Sequence, residues 1–184
     1  GWASRAWCGG GRRGGLPGVR PGAIQANVLS CQLCPASMDI EHAIEFNVAN
    51  DVIGCAFSSR LDSNLREAKH WAYGAGSSAT SAKGQRPWIA SVAVQIDKTA
   101  ESMAEMQREI GEFANGKAAP TDAEIAHSKA NTVRSLPGDY ETGNGVLGSV
   151  GNIVRFHRAD DYIQTFKARI DNMSNAVVRN AAAA

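Results

Sequence analysis

The chain has 184 residues, 43% of them hydrophobic and 20% charged, with 19 Lys+Arg against 18 Asp+Glu and a net charge of +1. That is the length of one domain able to bury a core, and the balance excludes both a disordered chain and a global field that would draw nucleic acid or anionic lipid. No run approaches the ~18 continuous apolar residues of a membrane span and no signal peptide is visible, so a soluble protein without a membrane span is expected.

Residues 1–21 are rich in glycine and arginine and have no helix or strand period, which predicts an irregular surface arm followed by one domain over 22–184. The arm is too short, and its aromatics too few, for a nucleic-acid partner. A half-buried strand is predicted over Ala23–Leu33, with Ile24, Ala26 and Val28 on one face. Asp39 and Glu41 mark a helix start, and Ile40, Ile44, Val48 and Val52 recur at helical spacing. A second helix follows over Ser59–Lys69, then a strand of small residues over Trp71–Ser81, whose slender side chains allow a neighbouring backbone to approach closely.

Lys83–Pro87 is turn material, and Trp88–Ile96 is the clearest strand, with Trp88, Ala90, Val92, Val94 and Ile96 on one face; the two strands are expected to form a hairpin. The next helix begins near Asp97 or Thr99, either of which could cap it, and carries Met103, Met106, Ile110 and Phe113 toward the sheet. Thr121 and Glu124 form a capping box for another. From Glu141 to Phe156 the apolar period is helical despite Gly143, Gly145, Gly148 and Gly151, so close packing is expected to compensate their low propensity. Asp160 or Asp161 could cap a helix carrying Tyr162, Phe166 and Ile170, and Ser174 could begin a short last one. The order is α+β: a two-layer sandwich with an antiparallel or mixed sheet and helices mainly on one face.

Candidate chemistry is sparse. Cys31 and Cys34 have the spacing of a redox or zinc-knuckle pair, but no second ligand pair accompanies them; structural cysteines are the first reading, a disulfide or metal site the alternatives. His42, His70, His127 and His157 are isolated, and none has a second histidine four residues away. Arg66 would lie on the last turns of a helix and Tyr73 at the start of a strand, so both could face one helix-to-strand crevice. There they could donate to a peptide carbonyl or to the oxygen of a tetrahedral intermediate. The alternative reading is a surface salt bridge from Arg66 to Glu67 or Asp62 beside a packed Tyr73.

The stretch FSSRLDSNLREAKHWAYGAGSS, from Phe57 to Ser78, resembles the C-terminal homologous half of the zinc metallopeptidases related to insulinase, pitrilysin and mitochondrial processing peptidase. The similarity continues through VQIDKTAESMAEMQREIGEF, PTDAEIAHSKANTVRSLPGDYETGNG and DDYIQTFKARID, covering most of the chain after about Arg20. In that family two homologous halves close around a peptide. The N-terminal half carries zinc on H-x-x-E-H and a distal glutamate, and the C-terminal half contributes an arginine and a tyrosine. The resemblance therefore implies that Arg66 and Tyr73 hold the substrate carbonyl, with Gly74, Gly76 and Ser77 lining the cleft.

No H-x-x-E-H occurs here, so the resemblance implies no metal on this chain, zinc on a homologous partner half or subunit, and a peptide substrate. It also implies a closing strand after the last helix, so the domain is expected to be truncated at its end. The alternative implied is a non-catalytic scaffold subunit of a larger complex, and a general peptide-binding domain is a third reading. Compartment stays open, with bacterial periplasm or cytoplasm set before the mitochondrial matrix.

Overall fold

The computed structural model describes residues 7–8, 18, 21–34, 43–80, 82 and 86–183. Most of the predicted arm, the helix start at Asp39–Glu41 with Ile40, His42, and the turn residues 83–85 lie outside them.

The hairpin is the heart of the sheet. Strands β3 (Ala72–Ala79) and β4 (Arg86–Gln95) run antiparallel, β4 also pairs antiparallel with β2 (Gln25–Cys34), and β1 (Trp7–Cys8) lies parallel beside β2. The order is β1-β2-β4-β3, so β3 ends the sheet among the described residues. Alternation in β4 is nearly perfect: Trp88, Ala90, Val92 and Val94 are buried while Ser91 and Gln95 are exposed. Two apolar residues depart from the predicted faces. Ile24 stands exposed ahead of β2, and Ile96 is exposed because the chain leaves β4 in a 3-10 turn (Ile96–Lys98). Pro87, expected in a turn, lies near the start of β4 opposite Leu33.

Helices cover one face of this sheet. Helix α1 (Ala43–Asn50) continues into a wider π-helical turn, Asp51–Cys55, and α2 (Arg60–Asp62) likewise into Ser63–Ala68. The predicted helical stripe is borne out in Ile44, Val48 and Val52, all buried. Helices α3 (Thr99–Ala114), α4 (Asp122–Asp139), α5 (Gly143–Arg155), α6 (Tyr162–Asn172) and α7 (Asn175–Ala182) follow. The core joins Val92 and Val94 of the sheet to Leu61, Leu65, Met106, Ile125, Ile170 and Val178. Each such fully buried side chain contributes about 1.5–3 kcal/mol. This is the α+β sandwich expected, and none of the helices among the described residues is long and apolar enough to cross a membrane.

Local chemistry decides where the helices start. Thr121 Oγ1 accepts from the Glu124 amide at 3.2 Å while Glu124 Oε2 accepts from the Thr121 amide at 2.8 Å, completing the predicted capping box. Ser174 Oγ caps α7 by accepting from Val177 N–H at 3.4 Å. Neither Asp97 nor Thr99 caps α3: the 3-10 turn intervenes, and Thr99 Oγ1 donates back to the Ile96 carbonyl at 2.7 Å. The stripe on α3 is kept except at its first position. Ser102, Met106 and Phe113 are buried and Met103 is exposed.

Helix α5 overturns an expectation. None of its residues is buried, and a side chain at Gly143, Gly148 or Gly151 would meet nothing within 4 Å. Gly145 alone is closely packed as expected, since a Cβ there would run into the Asp139 backbone carbonyl; the other three serve no close packing within the described fold, although a glycine costs about 1 kcal/mol against alanine in a helix interior.

Cys31 and Cys34 lie three residues apart on β2, so their side chains project from opposite faces. Cys31 is paired with Ile89 on the face away from the helices and Cys34 with Arg86 on the core face. The two therefore form neither a mutual disulfide nor one metal clasp, and burial pushes the Cys34 thiol above its ordinary range.

Candidate functional site

Arg66 sits in the π-helical turn after α2, one turn beyond Asp62. That i, i+4 spacing brings the pair together: Arg66 Nε donates to Asp62 Oδ2 at 2.7 Å, and a terminal nitrogen lies 2.7 Å from the same oxygen. The other terminal nitrogen lies 2.6 Å from Glu67 Oε1, and the guanidinium stacks 4.3 Å from the centre of the Phe57 ring. The ion pairs of the alternative reading thus exist. They hold the guanidinium in one place rather than concealing it, because Asp62 is only 4% exposed and is itself fixed.

What fixes Asp62 is an irregularity in β3. Ala72 pairs with Val94 but Ala75, not residue 74, pairs with Val92, so one extra residue is accommodated at Tyr73–Gly74. The bulge turns the Ala75 N–H to Asp62 Oδ1, which accepts it at 3.0 Å. One carboxylate therefore ties the helix end carrying Arg66 to the strand carrying Tyr73. The bulge also keeps Ala72 and Ala75 both on the core face, and Tyr73, next to Ala72, lies off it and is 92% exposed.

The two predicted site residues share one recess. Phe57, Arg66, His70, Ala72 and Tyr73 line an open hollow of about 420 Å³ at the helix-to-strand junction. His70 closes the turn in the left-handed region, φ 55°, where a non-glycine residue is uncommon, and its Nδ1 lies 3.1 Å from the Arg66 carbonyl oxygen. Sequence reasoning passed over Phe57 and the anchoring role of Asp62. The i, i+4 spacing of Asp62 and Arg66 was the available signal.

Gly76 and Ser77 lie deeper than the recess. A Cβ on Gly54, in the turn after α1, would fall 2.7 Å from Ser77 Cβ and 2.9 Å from Ser77 N, and one on Gly76 would lie 3.5 Å from the Gly54 carbonyl oxygen. This is the close backbone approach that small residues on β3 permit. Ser77 Oγ is buried and donates to Asn50 Oδ1 at 2.7 Å, an oxygen that also accepts from Trp88 Nε1 at 2.6 Å. Gly74 is in the bulge, facing Asp62 Oδ1.

A second arginine braces the helix from behind. Arg60 makes two 2.7 Å bonds to the Glu124 carboxylate and reaches the Ala118 and Ala119 carbonyls, so α2 is locked to the start of α4. This guanidinium holds the Glu124 carboxyl down from 4.5 to about 2. Arg108 does the same to Glu105 on α3, which also accepts from Asn64 at 2.8 Å.

A family model described as the peptidase M16 inactive domain matches residues 18–132, a stretch that holds the whole recess. The chain belongs to the peptidase M16 inactive-domain family. Among solved structures, the M16 inactive domain from Pseudomonas fluorescens superposes with a TM-score of 0.75 at 21% identity, over 88% of this chain and 38% of that one. A protease from Helicobacter pylori gives 0.75 at 15% identity over 89% and 38%. The inactive peptidase domain of a putative zinc protease from Bordetella parapertussis gives 0.72 at 10% identity, over 90% of this chain and 88% of that one. These likenesses concern the fold. The chain spans little more than a third of the Pseudomonas and Helicobacter chains, and no curated protein sequence matches it. As an M16 inactive domain it offers, among its described residues, no group of three or more His, Cys, Asp or Glu side chains able to hold a metal ion.

Proposed function

We propose that residues 22–184 act as the substrate-holding half of a zinc metalloendopeptidase, with 1–21 as a preceding arm and the metal carried by a homologous half on the same polypeptide or a separate subunit. The observation that carries this reading is the Asp62 carboxylate, which pins Arg66 to the bulged strand that carries the exposed Tyr73. Two donors of different reach are thereby presented at one recess, and the guanidinium is already held in place by its carboxylates. Bound on the partner half, zinc would polarise the scissile carbonyl and activate water.

This chain's residues then act on the peptide. The guanidinium fork has five N–H donors, and those not engaged by Asp62 and Glu67 can meet a substrate carbonyl; the Tyr73 hydroxyl supplies another. Gly74, beside Asp62 in the bulge, and Gly76 and Ser77 beyond it would offer backbone along the terminal strand of the sheet, since the Ser77 hydroxyl is committed to Asn50.

The test pairs the domain with a zinc-bearing half and measures peptide cleavage. Arg66→Ala and Tyr73→Phe should each lower kcat, by about 100-fold for one well-placed donor, with KM rising less and zinc content and circular dichroism unchanged. An unchanged kcat/KM in both variants, with chemistry rate-limiting, rejects the assignment. A native complex in which no chain carries H-x-x-E-H would establish the scaffold role instead.

A further inference from the structure

The imidazole of His70 lines the same hollow as Arg66 and Tyr73. Its Nδ1 lies 3.1 Å from the Arg66 carbonyl oxygen, four residues back. A carbonyl oxygen only accepts, so this contact is a hydrogen bond when the ring proton is on Nδ1. In the neutral imidazole Nε2 is then a bare acceptor. The backbone does not by itself call for this side chain. His70 and His157 are both held at positive φ, 55° and 51°, but the turn after α3 is closed in the same region by Gly116, φ 79°, which meets it without a Cβ. What sets His70 apart is its place beside two donor side chains on the lining of one hollow.

Of the other lining residues, Phe57 and Ala72 offer apolar surface and Arg66 only donates, while Asp62 and Glu67 beside it are engaged by its guanidinium. A peptide needs more than donors. One residue of an extended chain points its C=O and its N–H to the same side, as in an antiparallel pair whose two residues exchange both bonds. Seating the carbonyl on Arg66 and Tyr73 therefore brings the N–H of the same residue to the recess, where leaving it unpaired would forfeit the bond it makes to water. We infer that His70 Nε2 accepts this N–H, so that the recess takes one substrate residue by both of its backbone groups. Arg66 and Tyr73 read a carbonyl that every residue has, whereas His70 reads an N–H that proline lacks, so the recess selects against proline at that residue. The inference rests on the substrate-holding role proposed above and adds to it a specificity-determining residue.

Nitrogen NMR of the full chain, at a pH where the ring is neutral, should place the His70 proton on Nδ1; a proton on Nε2 would overturn the inference. The second measurement pairs the chain with a zinc-bearing half and uses peptides in which an α-hydroxy acid replaces one residue at successive non-scissile positions, exchanging one N–H for an ester oxygen. At one position the parent kcat/KM should fall by about tenfold, the size of one hydrogen bond. His70→Gly, which suits the positive φ and so keeps the turn, should lower cleavage of the all-amide peptide by about the same factor and cleave the two peptides alike. Tyr73→Phe should turn over more slowly yet keep the parent's preference for the amide; losing it would assign the acceptor to the tyrosine hydroxyl instead. A parent indifferent to every exchange, or a His70→Gly variant that still prefers the amide, removes His70 from the recess's chemistry. If Arg66→Ala and Tyr73→Phe nonetheless lower kcat, the substrate-holding role survives that result, whereas an unchanged kcat/KM in both rejects the role and the inference together.

Discussion

Two groups of glycines serve opposite ends. Gly54 and Gly76 lie where the turn after α1 crosses β3, and there the absence of a Cβ is filled by another backbone. Gly143, Gly148 and Gly151 lie on α5 with empty space around them. The first pair fastens the helix layer to the strand that carries Tyr73. The second group weakens a helix whose apolar side chains the described fold leaves exposed. A glycine therefore carries no structural meaning until the atom opposite it is known.

The sharpest way to break this contrast is Gly54→Ala. Its new methyl would meet Ser77 backbone and Cβ, so unfolding stability should fall by about 3 kcal/mol in denaturant titration. A loss below about half a kilocalorie would mean that the crossing is loose. Asp62→Ala tests the other tie between helix and β3. It strips the Ala75 amide of its acceptor and Arg66 of its buried partner, and about 2 kcal/mol should be lost. Hydrogen exchange at Ala75 should rise more than in β4, and equal protection in variant and parent would show the tie to be idle.

The brace behind the site has a smaller, pH-dependent effect. Glu124 falls from 4.5 to about 2 on folding, so its contribution is complete above pH 4.5 and disappears as pH falls through about 2. Glu105 follows the same course. Stability measured between those limits should decline with acid, and Glu124→Gln should flatten the decline; an identical slope would remove the Arg60 pair from the account. Smallest is Gly148→Ala, which lies away from the apolar side of α5. It should gain up to about 1 kcal/mol, seen as a higher melting temperature, whereas a loss would show that something occupies the space beside it.

What could be read in advance tracks the range of the forces involved. The β4 face and the Thr121/Glu124 box are set within a few residues, and both stand as the pattern implied except at Ile96, where the chain has left the strand. On α3, Met106 and Phe113 are buried and Ile110 packs against the core as the pattern implied, but Ser102 takes the interior place expected of Met103. Exposure of α5 was illegible, since apolar periodicity marks a face without saying whether this fold covers it. At the site, the crevice shared by Arg66 and Tyr73 followed from helix-then-strand order. The Asp62 anchor did not, because it depends on how β3 registers against β4, a pairing between segments far apart in the chain.

That register has a consequence for how relatives should be aligned. Tyr73 and Ser77 are four apart, an even count that in a regular strand would put both side chains on one face. Here Ser77 is interior and Tyr73 is turned outward, because the bulge inserts one unit of parity between them. Deleting Gly74 would leave every named side chain of the recess in the sequence and keep the seven-residue interval from Arg66 to Tyr73. It would keep the tyrosine turned outward, now three residues from Ser77 in a regular strand, but it would remove the bulge that turns the Ala75 N–H to Asp62. Chain length at this one position is thus as informative as residue identity, and an alignment that closes the gap there would match the letters while losing the tie between helix and strand.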